Sequence, residues 1–173
     1  MPTIITNPAT LTWANFTPSP NQIPDPSDGS LVDAVTSFNF VLQNLPPQVS
    51  GGVFTVPAAI TITITPNCQV WTGVVQSAAL LSHEQFHYDV GIMCARAFGR
   101  HIANLRGNSL AALVALIQNA QTLHFRTRAG ILQRRYDVDT RHGTINQFQR
   151  IWKSRMTAAL ASPNTDTMGG FYF

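Results

Sequence analysis

The spacing of apolar and polar positions changes character near residue 73. Before that point the apolar runs are short and broken by Pro, Gly, Asn and Thr. The clearest is Ile60-Thr61-Ile62-Thr63-Ile64-Thr65, whose strict alternation puts Ile on one face and Thr on the other, a half-buried strand. Its β-branched side chains favour an extended backbone, and Pro66-Asn67 is expected to close it. Thr10 to Phe16 and Ser37 to Leu45, the latter bounded by Pro46-Pro47, read as two further strands. Between them Pro18, Pro20, Pro24, Pro26 and Asp28-Gly29 signal a loop.

From Val74 onward the period becomes helical. The pattern predicts a long helix over 76–106, ended by Gly107-Asn108. Ser109 is a suitable N-cap for a second helix reaching 136, along which Leu110, Leu113, Val114 and Ile117 keep a three-four spacing. Residues 137–143 are polar and read as irregular, and a third helix is expected over 144–161, stopped by Ser162-Pro163. The chain therefore reads as one domain over 1–173: strands and loops in 1–73, helices in 74–162 and a tail in 163–173. The expected class is α+β, a small and mostly antiparallel sheet packed on the first long helix, with further helices following.

Composition adds limits. A chain of 173 residues can bury an adequate core without disulfides, and its two cysteines, Cys68 and Cys94, read as core thiols. The charges are few and uneven: residues 1–80 carry Asp25, Asp28 and Asp33 but no Lys or Arg, and every basic residue lies from Arg96 onward. These arginines are dispersed along helical segments without aromatic interleaving, so they read as a solvated, ion-paired surface and no nucleic-acid partner is expected. No apolar stretch has the length of a membrane span. No basic start followed by an apolar run is visible, so the chain is expected to stay inside the cell or to be exported by a leader that is not part of it.

The candidate chemistry lies on the first long helix, in His83-Glu84-Gln85-Phe86-His87. Residues four apart stack on one helix face, so both imidazoles can reach one metal ion. Glu84 lies beside that position, where it can take a proton from water and pass it to a leaving group. This is the zinc-peptidase arrangement, and Glu84 is the only glutamate in the chain. A chain that avoids Glu through three helices, where Glu is a good former, has set its single copy between two histidines.

A catalytic zinc takes three protein ligands and leaves one position open. No second glutamate exists to serve, and the longer H-E-x-x-H-x-x-G-x-x-H pattern fails at Val90 and Met93. Candidates cluster in Tyr136-Asp137-Val138-Asp139-Thr140-Arg141-His142-Gly143, with His142 as the expected third ligand and Asp137 or Asp139 as alternatives. Tyr136 reads either as a donor to the oxyanion of peptide hydrolysis or as a core tyrosine ending a helix. His101 lies about 21 Å along the helix from His87 and cannot join, and His124 reads as a satisfied, partly buried imidazole. Asp89 falls about 160° from His87 on an ideal helix, a place for a structural hydrogen bond or ion pair.

The run Leu80-Leu81-Ser82-His83-Glu84-Gln85-Phe86-His87-Tyr88-Asp89, together with Tyr136-Asp137-x-x-Thr140-x-His142-Gly143, Gln147, Gln149 and Trp152, resembles a bacterial family of unknown-function domains described as zinc-dependent proteases. Leu11-Thr12-Trp13-x-x-Phe16 and Pro66-Asn67-Cys68-Gln69-Val70-Trp71 are similar to two further signatures of that family, so the resemblance spans about residues 10 to 153. The chain departs from it at Phe86, where the family has glycine, and at Tyr88, where it has Phe. The resemblance implies a zincin-like fold, one catalytic Zn2+ and hydrolysis of a peptide or protein substrate. In zinc peptidases of this general type an edge strand above the metal helix pairs with extended substrate, and Ile60–Thr65 is the candidate. The competing expectation is a non-catalytic protein that keeps zinc as a staple.

Overall fold

The structure is a computed structural model that describes residues 2–43 and 45–173. Asn44, inside the strand expected over 37–45, and Met1 lie outside the described residues. The fold is α+β. In chain order the elements are β1 (Thr3–Ile5), a 3-10 turn (Trp13–Asn15), β2 (Phe16–Ser19), β3 (Ile23–Pro24), β4 (Leu31–Val32), β5 (Ala34–Leu42), β6 (Gln48–Ser50), β7 (Val53–Thr55) and β8 (Ala59–Trp71). Then follow α1 (Ala78–Ala103), α2 (Leu110–Gln121), a π-helical stretch (Thr122–Arg128), α3 (Ala129–Thr140), α4 (Asn146–Ala161) and a short hairpin of β9 (Thr167–Met168) and β10 (Phe171–Tyr172). Among the described residues no helix is long and apolar enough to cross a membrane.

The alternating segment does form a strand, but it differs from expectation in length and place. β8 continues through Pro66-Asn67 to Trp71 and lies at the centre of the sheet, not at an edge. On one flank β5 pairs with it antiparallel, from Ala34 against Val70 to Leu42 against Ile62. On the other, β1 and β2 pair with its two ends, both parallel, so the sheet is mixed and not mostly antiparallel. Between those two short strands the Asn7 side chain takes the place of a strand, accepting from Ile64 N at 2.7 Å and donating to Ile64 O at 2.8 Å. Backbone groups of a strand alternate sides, so Pro66 turns its missing N–H toward this same gap. That is why a proline fits inside β8. The turn at Trp13–Asn15 replaces most of the strand expected over 10–16, because Asn15 Oδ1 accepts from Thr12 N at 2.7 Å and closes the chain locally.

Helix α1 is buried on two sides. Tyr88, Ile92, Ala95, Phe98 and Ile102 face Ile60, Ile62 and Ile64 of the sheet, while Phe86, Val90, Met93 and Ala97 face α3 and α4. Both stripes keep the three-four spacing of a helix, and each fully buried large side chain contributes on the order of 2 kcal/mol. Ser77 caps the helix by accepting from Leu80 N at 3.1 Å. The tail packs on the body, with Met168 and Phe173 buried in the second cluster. Cys68 and Cys94 are buried free thiols, and burial pushes Cys94 up to about 12.

Gly91 continues the His83–His87 stripe by one turn and lets β5 come close. A Cβ there would lie 2.9 Å from Cγ of Phe38. Gly91→Val is therefore expected to destabilise the fold by about 2–3 kcal/mol in urea denaturation, through overpacking. Gly130 is exposed within α3 and a Cβ there would meet nothing within 4 Å. Gly130→Ala is expected to stabilise by roughly 0.5–1 kcal/mol.

Candidate metal centre

His83 and His87 lie on the first turns of α1, both buried, with ring centroids 4.9 Å apart and their Nε2 atoms 3.3 Å apart. The third group to reach them is Asp137, not His142. Its Oδ1 lies 3.2 Å from His83 Nε2 and 3.1 Å from His87 Nε2. The physical reason is the length of α3. The helix runs through the stretch read as irregular and ends only at Thr140, so Asp137 sits on its last turn and faces inward. Thr140 stabilises that turn by donating to Tyr136 O at 2.7 Å and accepting from Gly143 N at 3.2 Å. The π-helical stretch upstream rotates every later position by one extra residue, which helps to bring Leu132, Tyr136 and Asp137 to the buried side.

His142 and Asp139 are placed elsewhere. His142 turns its Nδ1 toward Asp25 at 3.4 Å and its Nε2 toward Asp28 at 3.8 Å. Asp139 pairs with Arg135 at 3.0 Å and accepts from Trp152 Nε1 at 3.1 Å. Of its two readings, Tyr136 takes that of a core tyrosine and not that of an oxyanion donor. Its ring is fully buried between His83, 4.7 Å away, and Phe86, 3.7 Å away, and does not border the cleft. It is an aromatic backing for the His83 ring. Gln133 was not anticipated: its Oε1 lies 3.2 Å from His87 Nδ1 and fixes that ring. A glutamine four residues before an aspartate carries no motif by itself, so only the fold reveals it.

The three converging donors fit a metal ion. Gln133 Oε1 can only accept, so His87 Nδ1 carries its hydrogen and Nε2 presents a lone pair. That lone pair faces a second imidazole nitrogen and a carboxylate oxygen, and Asp137 Oδ1 has no hydrogen bond despite being buried. Three such atoms repel one another unless a cation, a proton or a metal, sits among them. Their separations of 3.1, 3.2 and 3.3 Å suit the ion. Tetrahedral zinc with bonds near 2.0–2.1 Å sets its donors about 3.3 Å apart. The chain thus has a buried His83–His87–Asp137 group that can hold a metal ion. Comparison with protein-family models, curated proteins and solved structures finds no match to this chain.

The group lies in a cleft of about 440 Å3. Glu84 also borders it, buried, with Oε2 free of any hydrogen-bond partner. Ala34, Val35 and Thr36 of β5 form one side, and the β3–β4 hairpin with Arg141 and His142 another. β5 pairs only with β8 among the described strands. It is therefore the edge strand at this site, and its outward N–H and C=O groups at Ala34 and Thr36 remain unpaired by any strand.

Elsewhere, Asp89 accepts from Gln85 Nε2 at 2.9 Å, and burial raises it to about 6. His124 is a satisfied imidazole between His101 at 3.0 Å and Phe173 O at 2.8 Å, lowered to about 4 by burial.

Charge at the centre follows from burial and proximity. Burial disfavours a charged His87, but the Asp137 carboxylate beside it outweighs this and raises the ring from 6.5 to about 9. Burial likewise works to raise Asp137, and the adjoining His87 more than offsets it, holding the carboxyl well below the usual carboxylate range. A folded-state value above the unfolded one means that the His87 contribution is complete below pH 6.5 and is lost as pH rises through about 9. Metal-free protein is therefore expected to lose stability between these limits, as thermal denaturation would show. Over the same interval the proton competes with metal for His87. Apparent zinc affinity should rise about tenfold per pH unit, measured by chelator competition.

Proposed function

We propose that this chain is a zinc-dependent hydrolase that cleaves peptide bonds, built on a zincin-like arrangement. Glu84 carries the reading. It is the chain's only glutamate, its carboxylate is buried beside three converging metal donors, and one of its oxygens has no partner. A structural zinc site has no use for a buried, unpaired carboxylate, which costs stability.

His83, His87 and Asp137 would hold the zinc, which when bound would supply Lewis acidity and a nucleophilic water near neutral pH. Glu84 receives the proton that water gives up and delivers it to the leaving nitrogen. Gln133 keeps His87 in the tautomer whose Nε2 can donate its lone pair. The free edge of β5 aligns an extended peptide across the donors through its backbone groups at Ala34 and Thr36, as strand addition does elsewhere. A peptide substrate is favoured over other amides because this edge reads main chain. The sequence resemblance to zinc-dependent proteases supports the same reading.

The test is cleavage of a quenched-fluorescent peptide library by zinc-loaded protein, compared with protein treated with a chelator. Cleavage that disappears with the chelator and returns with zinc supports the proposal, and absence of cleavage by the zinc-loaded protein contradicts it.

A further inference from the structure

His142 does not reach the metal donors, yet it borders the same cleft, and its loop is packed directly on the centre. A Cβ on Gly143 would lie 3.1 Å from His83 Cγ, so only glycine at that position lets the loop approach so closely. Arg141 and His142 both adopt the left-handed backbone region, with φ of 46° and 51°. Two consecutive non-glycine residues there cost on the order of 1 kcal/mol each. The strain is held by His142 N donating to Asp137 O at 3.0 Å and Ile145 N donating to Thr140 O at 2.8 Å. The ring is thereby fixed to the helix end that carries a metal donor.

Both ring nitrogens face their acceptors at long range, and the acceptors differ in burial. Nδ1 faces Asp25 Oδ2 at 3.4 Å, and Asp25 is itself buried, its other oxygen accepting from Ser27 N at 2.6 Å. Nε2 has only Ser30 Oγ at 3.4 Å and Asp28 Oδ2 at 3.8 Å. Contacts that long are weak, so an incoming oxygen can replace them at little cost. Arg141 borders the cleft too, but its side chain is exposed and makes no hydrogen bond among the described residues.

We propose that His142 is the substrate-contacting donor of this cleft: with a hydrogen on each ring nitrogen, both of which face carboxylates, it directs Nδ1–H to Asp25, which orients the ring, and Nε2–H to the carbonyl oxygen of the scissile amide as negative charge gathers on it. The proton stays on His142 throughout, so no bond to it forms or breaks. This deepens the hydrolase reading and rests on it. It also gives the Asp25–His142 pair a purpose that its distance from the metal donors otherwise leaves open.

The test uses zinc-loaded wild type, His142→Ala, His142→Gln and Asp25→Asn. Zinc per chain, kcat and KM on the best library peptide, and calorimetric binding of a phosphinic pseudo-tetrapeptide of alanine are measured for each. His142→Ala should keep its zinc while kcat falls roughly 10²–10³-fold. KM should stay within about threefold, the pattern of an interaction made mainly in the transition state. Binding of the phosphinic peptide, whose tetrahedral oxygens mimic the charged carbonyl, should weaken in parallel. His142→Gln, which keeps a donor and is the safer variant for folding, should recover part of the loss, and Asp25→Asn should fall between. Loss of zinc from His142→Ala would overturn the proposal by making His142 a ligand. So would unchanged kcat and unchanged phosphinic-peptide binding. A wild type that binds zinc and the phosphinic peptide but cleaves no library member would sink the peptidase reading, and the binding arm would still decide His142. A wild type that takes up no zinc would overturn both.

Discussion

Asp137→Ala is expected to strip the protein of zinc while His142→Ala retains it. Closed zinc sites bind with about 10–16 kcal/mol, so each of four ligands carries about 3 kcal/mol, roughly 10²-fold in affinity. Removing Asp137 also leaves His83 and His87 with their nitrogens 3.3 Å apart and no carboxylate between them. The deficit should therefore be at least that large, read as metal content after purification without added zinc and as affinity by chelator competition. Asp137→Asn keeps the shape of the side chain and replaces a charged oxygen by a neutral one, so it should fall between. Retention of full zinc by Asp137→Ala would return the third ligand to another residue.

Glu84→Gln should separate metal binding from chemistry. The amide is isosteric and Glu84 is not among the converging donors, so zinc content should not change. Loss of the group that moves the proton should lower kcat by roughly 10²–10⁴-fold. Activity within about threefold of wild type would show that Glu84 is not the base.

The His83–Glu84–His87 constellation was legible in sequence because helical spacing alone sets two imidazoles on one face. Asp137 was legible only as one alternative. Val138, Asp139 and Thr140 look like the polar exit of a helix, whereas the hydrogen bonds of Thr140 carry α3 one turn further and the left-handed backbone at Arg141 ends it there. That turn decides which side chain faces the imidazoles. His142 lies beyond it, and its position depends on Asp25, more than a hundred residues earlier. The Ile60–Thr65 alternation identified a strand but not its neighbours. Pro66 looked like a stop signal, and only the Asn7 side chain filling the gap between β1 and β2 explains why β8 passes through it.

The charge asymmetry gains a structural meaning. Two of the three carboxylates in the first eighty residues, Asp25 and Asp33, border the cleft, and Asp28 faces His142 beside them. The sparsely charged, net acidic first half thus concentrates its carboxylates opposite the helices that carry the metal donors.

One ion is expected to sit among His83, His87 and Asp137. Crystals of zinc-loaded protein, measured at the zinc absorption edge, test it most directly. A single anomalous peak about 2.0–2.2 Å from His83 Nε2, His87 Nε2 and Asp137 Oδ1, with an open side toward Glu84, is the expected result. A peak between Asp25, Asp28 and His142 instead, or no peak at either place, would contradict it.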